Sequence, residues 1–175
     1  MKHKITLVLL FLGTLFFTAQ GQDTNTFFNK ADAFFSSYVK AGRVDYKAIK
    51  GDTSSLEELL SMAKDIRVTK SDAKTYQAFW INTYNLSVIK GIVNNYPIAS
   101  PLDKAGFFDK TTYDVGGKKI TLNDIENKLL RGNFPKEARF HFVLVCAGLG
   151  CPPIISNAYL PTTLDAQLQA QTVKA

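Results

Sequence analysis

Cysteine, histidine and tryptophan are scarce in this chain: two, two and one in 175 residues. Two cysteines cannot build a disulfide framework, so a packed core has to hold the fold. Thirteen Phe and seven Tyr in a chain that is 46% hydrophobic supply that core. With 21% charged residues, and with no internal repeat or low-complexity linker, the composition fits one globular domain. Disorder, collagen and coiled coil are excluded. Long apolar runs are missing as well. The longest, Ile5 to Phe17, is interrupted by Gly13 and Thr14 and falls short of the roughly 20 residues that cross a bilayer. No transmembrane segment is expected.

That run has the anatomy of an export signal. Lys2 and Lys4 precede it, and Ala19-Gln20-Gly21 places small residues where a signal peptidase reads. A signal peptide over residues 1–21 is predicted, with cleavage before Gln22 and a periplasmic or secreted mature protein. The residue directly after the cleavage point is Gln22 and not Cys, so a lipid anchor is not supported. Residues 22–175 are left as a single globular domain. The leader takes two of the 21 basic residues and none of the 15 acidic ones, which leaves a net charge of +4. The remaining lysines, among them Lys47, Lys64, Lys90 and Lys118, are scattered and form no single basic face. Nucleic acid is not an expected partner. A mildly basic surface could suit an anionic cell-envelope polymer, but the favoured reading is the solvated mixed-charge face of an ordinary protein.

Periodicity predicts a helix from Asp23 to about Lys40, a short strand at Val44-Asp45-Tyr46, and a helix opened by a capping box at Ser55 to Glu58. A long helix is expected from Ser71 or Asp72 to about Asn94. Tyr113 to Ile120 reads as a hairpin, because Gly116-Gly117 supplies the positive φ of a two-residue turn. A helix from Thr121 to about Arg131 follows. Phe140 to Cys146 is a continuous apolar run of strand length, expected as a central strand of a small sheet. A last helix opens near Thr163. The fold class is α+β, with a helix-rich N-terminal part packed on that sheet.

Polar residues that interrupt apolar faces are the candidates for function. At about 100° per residue, Asn82 and Asn85 of the long helix fall within roughly 40° of Ala78, in the middle of its core stripe. Two readings stand. The amides tie down neighbouring loops, or they line a site and hold a substrate amide. By the same arithmetic Glu126 points inward beside Leu122, Ile125 and Leu129. It is then an ion-pair partner of Arg139 or Arg131, or a carboxylate at a catalytic centre.

His141 is the only imidazole left after the leader is removed, and it stands in the apolar run just before Cys146 and Cys151. A lone strand histidine is ordinarily a satisfied core residue. Thiol, imidazole and inward carboxylate are also the three parts of an activated nucleophile. In that arrangement Cys151 is the nucleophile, His141 the base and Glu126 the orienter. Cys146 is the less favoured thiol, because in a regular strand it faces away from His141. Gly148 and Gly150 would let backbone N–H groups approach a reacting carbonyl. Against this, an exported protein can oxidise Cys146 and Cys151 to a disulfide. Two Cys and one His lack the paired spacing of a zinc site, so no metal and no cofactor is expected.

Four blocks now carry a resemblance: Ala78-Phe79-Trp80-Ile81-Asn82-Thr83-Tyr84-Asn85, Leu122-Asn123-Asp124-Ile125-Glu126, Arg139 through Cys146, and Cys151-Pro152. In this order, across about Val44 to Ala170, the chain resembles the domain of unknown function 547 family. The resemblance implies an α+β domain found in exported bacterial proteins and, in plants, beside coiled-coil segments. It also implies a thiol-hydrolase-like site on Cys151 or Cys146, His141 and Glu126. Similar domains run on past Cys151-Pro152, so the family-like region, about 44–175, is expected to be incomplete at its C-terminus. The last helix, bearing Leu164, Leu168 and Val173, would then need a partner to cover its apolar side.

Two functions follow from these residues. The leading one is an exported cysteine-dependent acyl-transfer enzyme, a hydrolase or transpeptidase acting on a peptide or amide bond. The alternative is a noncatalytic binding or scaffold module whose cysteines are structural or bonded to each other.

Overall fold

The computed structural model describes residues 23–148 and 151–174. The leader read over residues 1–21 lies outside them. The fold is α+β and helix-rich, with two small antiparallel hairpins.

Helix α1 (23–38) buries Phe27, Phe28, Ala31, Phe34 and Phe35. It runs directly into strands β1 (Val39–Lys40) and β2 (Arg43–Val44), which pair antiparallel. The strand expected at Val44-Asp45-Tyr46 stops at Val44. Asp45 instead caps α2 (Tyr46–Gly51), its Oδ1 accepting the Ala48 N–H at 2.9 Å. Helix α3 (Ser54–Asp65) starts one residue earlier than the expected capping box, and that box does not form. Asp52 accepts the Ser54 N–H at 3.0 Å and so satisfies a first-turn donor from outside the helix. Ser55 is drawn into the helix, its Oγ buried without a partner.

Helix α4 (Ala73–Asn94) is the axis of the molecule, with Asp72 as its N-cap. It is buried on nearly every face, from Tyr76 through Ile89 and again from Gly91 to Val93, with only Gln77 half-exposed inside the longer stretch. A helix buried all round is placed by packing rather than by amphipathicity, and the polar side chains it carries inside, Asn82, Thr83, Asn85 and Ser87, are buried with the rest. Phe79 meets Phe27 and Trp80, with ring centroids 5.3 and 5.1 Å apart. Gly91 is there for closeness: a Cβ would stand 2.7 Å from the Phe107 ring and from the Tyr113 hydroxyl.

Strands β3 (Thr112–Val115) and β4 (Lys118–Thr121) form the expected hairpin, with Gly116 at φ 59° and Gly117 at φ 72° in the turn. The turn also closes α3. Gly116 N–H donates to the Ala63 carbonyl at 2.7 Å and Gly117 N–H to that of Lys64 at 3.0 Å, so the hairpin satisfies carbonyls that the helix end leaves free. Thr121 caps α5 (Leu122–Asp124), which continues as a π-helix over Ile125–Arg131.

The expected central strand from Phe140 to Cys146 is absent. Ala138–Phe142 is a 3-10 helix, and the N–H groups of Val143 and Leu144 both reach back to the Phe140 carbonyl at 3.2 Å. Phe140 and Val143, three apart, are both fully buried, which is the period of a 3-10 turn. An unbroken apolar run does not distinguish a buried strand from a buried turn, and among the described residues no strand lies alongside to pair with this one.

The last element, α6 (Leu164–Lys174), packs on that 3-10 helix. Leu164 and Leu168 are each 2% exposed, so the chain itself covers the stripe for which a partner was expected. Val173 is not part of it. It is 77% exposed, while Gln171 is buried at 3%. Counting at about 100° per residue from Leu164 places Val173 on the opposite side and Gln171 within the stripe.

Candidate functional site

Asn82 and Asn85, one turn apart on α4, both reach out of the helix to the backbone of later segments. Asn82 Oδ1 accepts the Tyr159 N–H at 2.9 Å, and its Nδ2 donates to the carbonyls of Tyr159 at 2.7 Å and Ala78 at 2.9 Å. Asn85 Nδ2 donates to the Val143 carbonyl at 3.0 Å and its Oδ1 accepts the Val145 N–H at 3.0 Å. A side-chain amide presents one acceptor and one donor edge, as a peptide unit does. Each asparagine therefore replaces a neighbouring strand for a segment that has none. Both are almost fully buried, at 0% and 2% exposed, and neither is left without partners. Of the two readings for these amides, the loop-tying one is what the bonds describe.

Between the two clamps runs the segment 146–158. At its start Cys146 is bonded to Cys151, with Cα atoms 6.0 Å apart, and there is no free cysteine among the described residues. Cys151 N–H donates to the Gly148 carbonyl at 3.1 Å, and Ala147 takes a left-handed φ of 56° to make the bend.

His141 lies in the 3-10 helix and is exposed, where a strand histidine would have been inside. Its ring packs edge-on against Phe142 with centroids 5.2 Å apart. Glu126, on the π-helix, is half-buried, with its side chain 28% exposed, and accepts from Arg131 Nη2 at 3.0 Å and Nε at 3.1 Å. Of the two ion-pair partners considered for it, Arg131 is the one found. Burial above all, and then the negative charge of Glu126, hold the Tyr84 phenol well above its ordinary pKa. Among the described residues no hydrogen bond or ion pair joins Glu126 to His141, or His141 to either sulfur. The structure therefore brings Asn85 and Cys146 into one place, through Val145, and leaves His141 and Glu126 with other neighbours. Among the described residues no three His, Cys, Asp or Glu side chains cluster as metal ligands.

Arg139, read in the sequence as one of two partners for Glu126, has other work. It holds Glu137 through Nε and Nη2, each at 2.7 Å, and Asp165 at 2.8 Å, and so fastens the 3-10 helix to α6. Hydrogen bonding to Arg139 holds the Glu137 carboxyl below the usual carboxylate range. Sequence reasoning also missed the glutamines of α6. Gln167 Oε1 accepts the Leu160 N–H at 2.9 Å and its Nε2 donates to the Ala158 carbonyl at 2.8 Å. Gln171 Nε2 donates to the Pro153 carbonyl at 3.0 Å. Their spacing with Leu164 and Leu168 was the available signal.

No helix among the described residues is long and apolar enough to cross a membrane. Comparison with curated proteins and with solved structures finds no match. A family model described as "Protein of unknown function, DUF547" matches residues 68–174, well over half of the chain and inclusive of α4, Glu126, His141 and both cysteines, and the chain belongs to that family.

Proposed function

We propose that this protein is an exported, noncatalytic binding module in which Cys146 and Cys151 form a structural disulfide, with a peptide, amide or cell-envelope polymer as the class of ligand. The bonded sulfur pair carries this reading. A nucleophilic cysteine works as its thiolate, and a sulfur in a disulfide has none to offer. The surroundings agree. Glu126 is engaged by Arg131, His141 is at the surface, and Asn82 and Asn85 spend their bonds on backbone. A disulfide persists in an oxidising compartment, which is where the leader read in residues 1–21 would send the chain.

The intact mass of the natively exported protein, taken before and after iodoacetamide, tests the proposal. A mass lower by two hydrogens, no uptake of the label, and a proteolytic fragment linking Cys146 to Cys151 are expected. Two free thiols, with rapid labelling at neutral pH that Cys151→Ala abolishes, would overturn it in favour of cysteine-dependent acyl transfer.

A further inference from the structure

A groove of ≈ 530 Å³ runs between the β1–β2 turn, the segment 153–157 and α6. Its size lies within the range of small-ligand sites. One wall is chain without regular structure. Pro152-Pro153 imposes an extended start, and the chain runs on without turn or bend to Ile155, with Pro153 exposed, Ile154 buried, Ile155 partly exposed and Ser156 exposed at the bend that follows.

This wall is held by the elements around it. Gln171 donates to the Pro153 carbonyl at 3.0 Å, the Ser36 hydroxyl donates to the Ser156 carbonyl at 3.0 Å, and Asp32 accepts the Ala158 N–H at 2.9 Å. The turn at Ala41 and Gly42, both with positive φ, closes on it so tightly that a Cβ on Gly42 would stand 2.7 Å from that of Pro153. Held in this way, Ile154 and Ile155 make no backbone hydrogen bond among the described residues. The N–H of Ser156 makes none either. A run of chain tied at both ends, whose backbone donors and acceptors have no partner among the described residues, offers a template for one more strand.

The charge of the groove narrows the ligand. Lys174 is the one charged side chain among its lining residues, beside the amides of Asn157 and Gln171. A cation as the one charged side chain lining the groove favours a ligand that carries a carboxylate.

We propose that this groove binds an extended peptide by strand addition along Ile154 to Ser156, with an acidic residue of the peptide meeting Lys174. The inference deepens the binding-module reading and rests on it. It names peptide, out of the three ligand classes, as the one this surface suits.

The test uses the oxidised mature protein, its disulfide confirmed by mass, and three probes: acetyl-Thr-Val-Thr-Val-Asp-amide, the same peptide ending in Lys, and the first peptide N-methylated at alternate residues. Backbone amide shifts are followed by NMR. The Asp peptide should move the amides of Ile154, Ile155 and Ser156 and bind about fivefold tighter than the Lys peptide, the worth of one exposed ion pair. Lys174→Glu should reverse that preference, and N-methylation should abolish the shifts. No shift at these amides with millimolar Asp peptide overturns the proposal, as does equal response to the N-methylated peptide or a preference that Lys174→Glu leaves alone. Because the disulfide is verified first, such a failure removes the peptide groove and leaves the module reading to its own test.

Discussion

Asn85 holds Val145 by the backbone, its Oδ1 accepting the Val145 N–H at 3.0 Å one residue before the Cys146–Cys151 bond. The central helix therefore anchors the disulfide loop directly, with a buried side chain doing what a neighbouring strand would do. Asn82 repeats the device at Tyr159, where the chain returns. The surface between them, including the groove wall, is positioned from the core outward.

Removing either clamp should be costly. Asn85→Ala orphans the Val145 N–H and the Val143 carbonyl, and each buried group left without a partner costs about 1–3 kcal/mol. A loss of about 2–5 kcal/mol is expected for Asn85→Ala and for Asn82→Ala in urea denaturation. Asn85→Asp keeps the acceptor for Val145 but sets a carboxylate against the Val143 carbonyl, so it should not rescue. A cost within about 0.5 kcal/mol, the range of an ordinary surface change, would show that the amides are not structural.

The disulfide spans only five residues of separation, so its contribution should be modest. Loop-closure entropy for a ring of that size gives about 2 kcal/mol. Cys146→Ala/Cys151→Ala should lower stability by that amount without altering the far-ultraviolet circular dichroism. Collapse of the whole fold on losing both sulfurs would mean that they do more than close a short loop.

What the sequence revealed, and what it hid, follows from how local each cause is. The Gly116-Gly117 hairpin, the long helix and the inward amides rest on turn chemistry and on spacing within one element, and they were readable in advance. The segment Phe140 to Cys146 was not, because its conformation is set by Asn85, more than fifty residues earlier, which supplies the partners that a strand would have needed. The capping box at Ser55 failed for a nearer reason, since Asp52 had already met the first-turn donor. The candidate Cys and His residues were identified by their scarcity and Glu126 by its place on a helix face, and neither signal carries a distance between elements. Pairing of the two thiols, exposure of His141 and capture of Glu126 by Arg131 are tertiary facts.

Arg139→Met should loosen α6 from the 3-10 helix. It removes two 2.7 Å bonds to Glu137 and one of 2.8 Å to Asp165, whose side chain is 77% exposed. A cost of about 1 kcal/mol is expected, and Asp165→Asn alone should be close to neutral, because the amide oxygen and the Asp165 backbone carbonyl can still accept from Arg139. Hydrogen exchange should quicken in the first turn of α6. The pH dependence gives a second readout. The Glu137 pKa is depressed in the folded state, so its contribution is present above the ordinary carboxylate range and is lost as pH falls through the folded value. Arg139→Met should flatten that acid limb, and an unchanged limb would assign the acid sensitivity elsewhere.

Alkaline pH probes the other side of the core. Burial pushes the phenols of Tyr46 and Tyr113 from 10.0 up to about 12 and raises those of Tyr84 and Tyr159 further. A folded pKa above the unfolded one means that the native state binds more protons between the two values. Stability from these groups is therefore complete below pH 10.0 and is lost as pH rises towards 12. The thermal midpoint should fall steadily across that window, and phenolate absorbance of the native protein should show a late-titrating class of tyrosines. Tyr113→Phe should narrow the loss without destabilising the protein at neutral pH, since the Tyr113 hydroxyl is buried with no partner to lose. If every tyrosine ionised together near pH 10.0 while the circular dichroism stayed native, the close packing of Tyr113 over Gly91 would not hold in solution.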